Sequence, residues 1–263
     1  MPDTPKPDDE LAGTEQPFVS HLIELRDRLV RAFIAIGLAF GVLAVFPGPA
    51  ALYDLLAAPL VAHLPAGSTL IATNVISPFL VPLKITLLAG FFVALPYVLY
   101  QVWAFVAPGL YSHEKKLVLP LVISSTLLFF VGVAFCYFFV FGKVFTFIQS
   151  FAPKSITAAP DIEAYLSFVM SMFIAFGAAF EVPVVVVVLA RMGLVTVAKL
   201  REFRGYFIVV AFIIAAVITP PDVVSQLALA IPMCLLYEVG VFAAGYFIRY
   251  SKAPEEEPQR PAP

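Results

Sequence analysis

Charge is the scarcest ingredient of this sequence. Asp, Glu, Lys and Arg together make up 13% of its 263 residues, about half the ~25% of a soluble domain. With so little polar surface, water is not the solvent for most of the chain. Cysteine is nearly absent. Cys136 and Cys234 sit in separate apolar runs, a pattern that reads as two buried thiols, and no Cys/His spacing suggests a metal site. The three histidines, His21, His63 and His113, fall on separate segments, which argues against metal ligation. No GxxxxGK[ST] segment is present to power a nucleotide-driven motor. Neither HExxH nor GxSxG is present to suggest a hydrolase. The expected work is therefore binding and passage, not bond-making, with no catalytic residue, cofactor, metal or nucleic-acid partner.

Polar sequence is scarce everywhere except at the two ends. The start, MPDTPKPDDELAGTEQP, is acidic and Pro-rich and lacks the basic start and apolar core of a secretory signal, so residues 1–17 read as a disordered tail. Residues 251–263, SKAPEEEPQRPAP, read the same way. Between them lies one membrane domain, residues 18–250.

Apolar residues, by contrast, make up 61% of the chain, and mean hydropathy is +0.96. A bilayer core of about 30 Å needs roughly 20 apolar residues in a helix. The sequence predicts an all-α membrane protein with six spans, at about residues 29–46, 78–106, 117–141, 164–190, 206–219 and 227–247. Pro47-Gly48-Pro49 ends the first, and Pro220-Pro221 closes the short fifth. An even number of spans puts both ends on one side. Lys6, Arg26, Arg28, Arg31, Lys115, Lys116, Arg191, Lys199, Arg201, Arg204, Arg249, Lys252 and Arg260 fall on that side, against Lys143 and Lys154 on the other. Thirteen cations against two predict cytoplasmic termini. Tyr97, Tyr100, Trp103 and Phe105 end span two at the cytoplasmic interface, as an aromatic belt would. Outside, ALYDLLAAPLVAHL is apolar but too short to span, and reads as a helix on the outer surface with Asp54 and His63 toward water. Spans five and six form a tight hairpin.

Charges in lipid are costly, so three stand out. Glu181, in FGAAFEVPVVVVV, lies two residues before Pro183, whose ring removes a helical hydrogen bond. It either lines a polar cavity or is a structural carboxyl. Lys84, near the outer end of span two, can snorkel outward. Glu238, in span six, has no assigned role. On the cytoplasmic side, Glu24 in SHLIELRDRL and Glu114 in LYSHEKKL stand at helix starts, where an acid complements the dipole. Glu24 is also four residues before Arg28.

SHLIELRDRL, IATNVISPF, YQVWAFVAPGLYSHEKKLV, YLSFVMSMFIAFGAAFEVPVVVVVL and ITPPDVVSQLALAIPM resemble the TatC family, the multispanning core of the twin-arginine protein translocase. The resemblance runs over about residues 18–248 and leaves out the tails. It implies a concave six-helix bundle in the bacterial cytoplasmic (inner) membrane. It also implies a receptor for twin-arginine signal peptides of folded cargo proteins. Such a receptor works with TatB-like and TatA-like single-span subunits, with other copies of itself and with the lipid bilayer, driven by the proton-motive force. The family's motif-binding acids fall on Glu24 and Glu114, with Arg26 and Phe105 at neighbouring functional positions. Pro59, Glu181, Asp222 and Gln226 also fall on family motif positions. Glu181 and Gln226 are the expected intramembrane polar groups, and Thr219, Asp222 and Gln226 the expected contact to a partner helix. The chemistry is consistent, because a guanidinium is a planar fork that a carboxylate accepts bidentately. From the residues alone, a proton-coupled secondary transporter of small solutes with Glu181 as its ion site stays open, although no inverted repeat relates the halves.

Overall fold

Hydrophobic runs of this length must satisfy their backbone internally, and in lipid a helix does so within one segment. The computed structural model describes residues 8–61, 70–106, 118–151, 161–219 and 222–251. Among them the chain is helical apart from short connections and one isolated bridge between Ile71 and Asp161. The helices are α1 (Asp8–Val45), α2 (Pro49–Val61), α3 (Ser77–Val106), α4 (Val118–Phe135), α5 (Phe141–Phe151), α6 (Ile162–Phe180), α7 (Val182–Arg191), α8 (Val197–Glu202), α9 (Arg204–Ile218) and α10 (Val223–Ser251). A π-helical turn, Cys136–Val140, joins α4 to α5. Five stretches are long and apolar enough to cross a membrane, and Arg204–Ile218 is a shorter apolar helix.

Several boundaries differ from the sequence expectation. Helix α1 begins at Asp8, so residues 8–17 of the expected disordered tail are helical. The third span does not stop at Phe141 but runs on through α5. The physical reason is the pattern FGKVFTFIQSF. Phe141, Val144 and Phe145 are buried at helical spacing, while Lys143 points outward. Trp103 is not part of an interfacial belt. It is buried, and its indole N–H donates to Ser125 Oγ at 2.9 Å, fastening α3 to α4. Helix α2 is more than a surface helix, since Leu52, Tyr53 and Leu56 pack on buried Val81, Ile85 and Leu166, while Asp54 is exposed. His63 lies outside the described residues.

The core is aromatic. Phe141 stacks among Phe145, Phe168 and Phe173 at centroid distances of 5.6, 5.9 and 5.3 Å. Phe92 meets Phe129 and Phe173 edge-on, the geometry ring quadrupoles favour. Helix α6 sits at the centre, while α1 is largely exposed along the rim.

At the end of the bundle where α3 and α6 begin, the segment before α3 is latched to the start of α6. Asp161 caps α6, its Oδ1 accepting from the N–H groups of Glu163 and Ala164. Its Oδ2 accepts from Thr73 Oγ1 at 2.6 Å and Thr73 N at 3.0 Å. Lys84, expected to snorkel, instead donates to Glu163 Oε1 at 2.8 Å, and Ser77 Oγ donates to Glu163 Oε2 at 2.7 Å.

Candidate functional site

Helices α1 and α3 run antiparallel, and their contacts assemble the basic-face site. At their far crossing a Cβ on Gly90 would lie 2.9 Å from the backbone N of Phe40, so only glycine permits the approach. At the other end His21 stacks on Phe105, with centroids 4.2 Å apart and planes 14° apart. Between these points Arg28 is the organiser. Its Nε and Nη2 donate to Glu24 Oε1 at 2.9 and 2.6 Å. Its Nη1 reaches buried Gln101 Oε1 on α3 at 3.4 Å. Glu24 is therefore held by one oxygen. The other, Oε2, has His21 Nδ1 at 3.8 Å, and the side chain keeps 36% of its surface open. Arg26 turns away and pairs with Asp27 at 2.9 Å, with 70% of its side chain exposed. The arrangement is a half-open carboxylate held in place by its own arginine, beside a stacked aromatic shelf.

Deeper in the chain, the Pro183 break is visible. Helix α6 ends at Phe180 and α7 starts at Val182, and Glu181 occupies the joint between them. Glu181 N donates to Ala178 O at 3.1 Å, a tight closing turn of the kind that relieves a helix end. Both Glu181 carboxyl oxygens are buried and make no close hydrogen bond, although the Ser125 side chain lies beside them. Gly240 on α10 presses on this joint, where a Cβ would lie 2.9 Å from Pro183 Cα.

At the hairpin of α9 and α10 several polar groups are spent internally, while Asp222 Oδ2 and Ser225 Oγ are buried without a partner among the described residues. Thr219 is buried, and its hydroxyl donates to Ala215 O at 2.8 Å. Gln226 Nε2 makes a long 3.4 Å contact to Phe212 O across the hairpin. Asp222 Oδ1 caps α10 by accepting from Ser225 N at 2.7 Å, as an N-cap acid does. In the chain by itself, then, the Thr219 hydroxyl donates within its own helix. Glu238, unassigned from sequence, accepts from Arg204 Nη2 at 2.7 Å.

The Sec-independent protein translocase protein (TatC) family profile matches residues 20–232. The chain belongs to the TatC family. It is 53% identical over 232 residues to the TatC protein of Halothiobacillus neapolitanus, covering 88% of this chain and 63% of that one. The shorter Haemophilus influenzae and Escherichia coli K12 TatC proteins are 49% and 48% identical, and the match covers 90% and 93% of their lengths. A crystal structure described as the twin arginine translocase receptor TatC superposes with a TM-score of 0.77 at 40% identity. That match covers 87% of this chain and all of the other. With its apolar helices, this TatC-family chain is a multi-pass membrane protein. The relatives' shared name, a protein translocase protein, gives no support to the small-solute transporter alternative.

The TatC-family match takes in every nominated position. The structure brings Glu24 and Phe105 together through His21, but leaves Arg26 pointing outward. Glu114 lies outside the described residues, so its distance to Glu24 is not defined here. Pro59 lies in the last turn of α2. Sequence reasoning missed His21 and Gln101 as builders of the site. The i,i+4 spacing signalled Arg28, but the other two depend on the α1–α3 register, which no local pattern encodes.

Proposed function

We propose that this TatC-family chain is the receptor subunit of a twin-arginine translocation system. It would lie in the bacterial inner membrane with six spans and both termini cytoplasmic. There it would bind the twin-arginine signal peptides of folded cargo, then assemble with TatB-like and TatA-like subunits and other copies of itself. Export across the membrane draws on the proton-motive force and needs no bond-making by this chain.

The observation that carries the reading is Glu24. Its carboxylate stands half open on the cation-rich face, at a position inside the family match, with Arg28 holding Oε1 and leaving Oε2 for an incoming guanidinium. A fork-shaped cation fits such an acceptor better than an ammonium does. Glu114 supplies the second acceptor in this proposal, and the His21–Phe105 stack gives the peptide an apolar shelf beside the motif. Arg26 lends the face its charge. Glu181 and Gln226 serve the later passage step, with Asp222 fixing the hairpin that meets a partner helix and Pro59 the outer cap.

The test is photocrosslinking in membrane vesicles from residue 24 or 105 to a synthetic peptide. A twin-arginine peptide is expected to crosslink, and its Lys-Lys counterpart to crosslink far less. Equal capture of both peptides, or of neither, overturns the proposal.

A further inference from the structure

Helices α4, α7 and α10 leave between them a groove of about 360 Å³. Leu121 and Leu128 line one wall, Val184, Val187 and Val188 another, and Ala243 the third. The groove follows α4 from Pro120 to Leu128 and α7 from Pro183 to Arg191. Eight residues of rise make it about 12 Å long, close to the ~15 Å depth of one leaflet of a ~30 Å core. One end lies near the Pro183 break. The other carries Arg191 and Phe247.

Arg191 is the charged residue of this groove, whose other polar lining residue, Ser124, donates to Leu121 O on its own helix. Its guanidinium carbon sits 5.2 Å above the Phe247 ring. Its Nε is buried with no acceptor among the described residues. No carboxylate among those residues pairs with it. A buried donor left without an acceptor is costly, and buried polar groups ordinarily find one.

We propose that this groove holds one acyl chain of an anionic phospholipid, from the leaflet at the basic face, with the lipid phosphate accepting from Arg191. The charge is complementary, because guanidinium and phosphate form forked, charge-assisted hydrogen bonds. Basic pockets between spans on this side of a membrane are where anionic headgroups bind. The lining is almost wholly apolar between the Pro183 end and the Arg191 end, as an acyl chain below a phosphate requires. An extended hydrocarbon chain fits. The lipid site is independent of the receptor reading and stands or falls without it.

The experiment is native mass spectrometry of the purified full chain, released from detergent after titration with phosphatidylglycerol or phosphatidylcholine of matched acyl chains. Wild-type protein is expected to retain one phosphatidylglycerol in preference to phosphatidylcholine. Arg191→Gln should lower phosphatidylglycerol retention roughly fivefold to tenfold and remove the preference. Arg191→Lys should keep the preference at weaker retention. Val187→Trp should remove the adduct by filling the groove, with the charge intact. If the Gln variant does not fold, the Lys and Trp variants decide the matter by the same readout. Equal retention of the two lipids by wild type, an unchanged adduct in the variants, or a photocrosslink from residue 187 to a protein segment would overturn the proposal.

Discussion

Lengthening α9 tests whether its shortness has a function. The helix has 15 residues, or about 22 Å, against a hydrocarbon core of about 30 Å. Its partner α10 gives an independent measure. Arg204, the first residue of α9, is bonded to Glu238 at 2.7 Å, and Glu238 lies 15 positions after Val223, again about 22 Å. Both arms of the hairpin therefore fix the same distance between the hairpin turn and the first charge at its open end. The shortfall is about 8 Å. At fractions of a kcal/mol per Å, the bilayer strain is on the order of 2–4 kcal/mol. Inserting seven apolar residues between Val217 and Ile218 adds about 10 Å while turning the helix end by only ~20° from its original face. The connection back to Val223 can stretch to about 14 Å over four residues, so the hairpin can still close. The lengthened variant is expected to insert, to bind a twin-arginine peptide as before, and to lose transport of a folded reporter into inverted vesicles. Full transport by this variant would refute the idea that local thinning is part of the mechanism.

Other perturbations address the site and the frame that holds it. Glu24→Gln removes the charge but keeps the shape, and should weaken twin-arginine peptide binding about tenfold or more, given ~1.5–3 kcal/mol for a hydrogen bond to a charged group; titration by fluorescence anisotropy checks it. Phe141→Ala empties a fully buried site among three rings and should cost about 3–5 kcal/mol, seen as a lower melting temperature in detergent. Gly240→Val forces a Cβ into Pro183 and should cost about 1–3 kcal/mol by overpacking, with α10 displaced from α7 in cysteine-crosslinking yields. The Thr73–Asp161 latch should respond to acid. The Thr73 hydroxyl, then the N–H groups of Ala164, Thr73 and Glu163, hold the Asp161 carboxyl down at about 2 from 3.8. A folded-state pKa below the unfolded one gives stability that is present above about pH 4 and lost as pH falls toward 2. Asp161→Asn should flatten that part of the melting-temperature profile, and an unchanged acid slope would exclude the latch as its source.

The all-helical class, the order of the long apolar stretches, the shortness of the Arg204–Ile218 helix, the helix break beside Glu181 and the charge asymmetry were all legible in the sequence. Each depends on local composition, proline or spacing along a single helix, and those properties act over a few residues. Glu24 with Arg28 was legible for the same reason, since four residues bring two side chains onto one face. What the sequence could not determine depends on which helix meets which, and at what register. Lys84 looked like a lone intramembrane cation until α6 brought Glu163 to it. Glu238 was an intramembrane charge with no assigned role until the short α9 placed Arg204 at its level. Trp103 looked interfacial until α4 offered Ser125. His21, Gln101 and Phe105 became one site through the antiparallel packing of α1 on α3, made possible by the missing side chain at Gly90. Periodicity tells a residue which face of its own helix it occupies; only tertiary packing decides what lies opposite, because that contact joins residues about 80 positions apart and leaves no local trace.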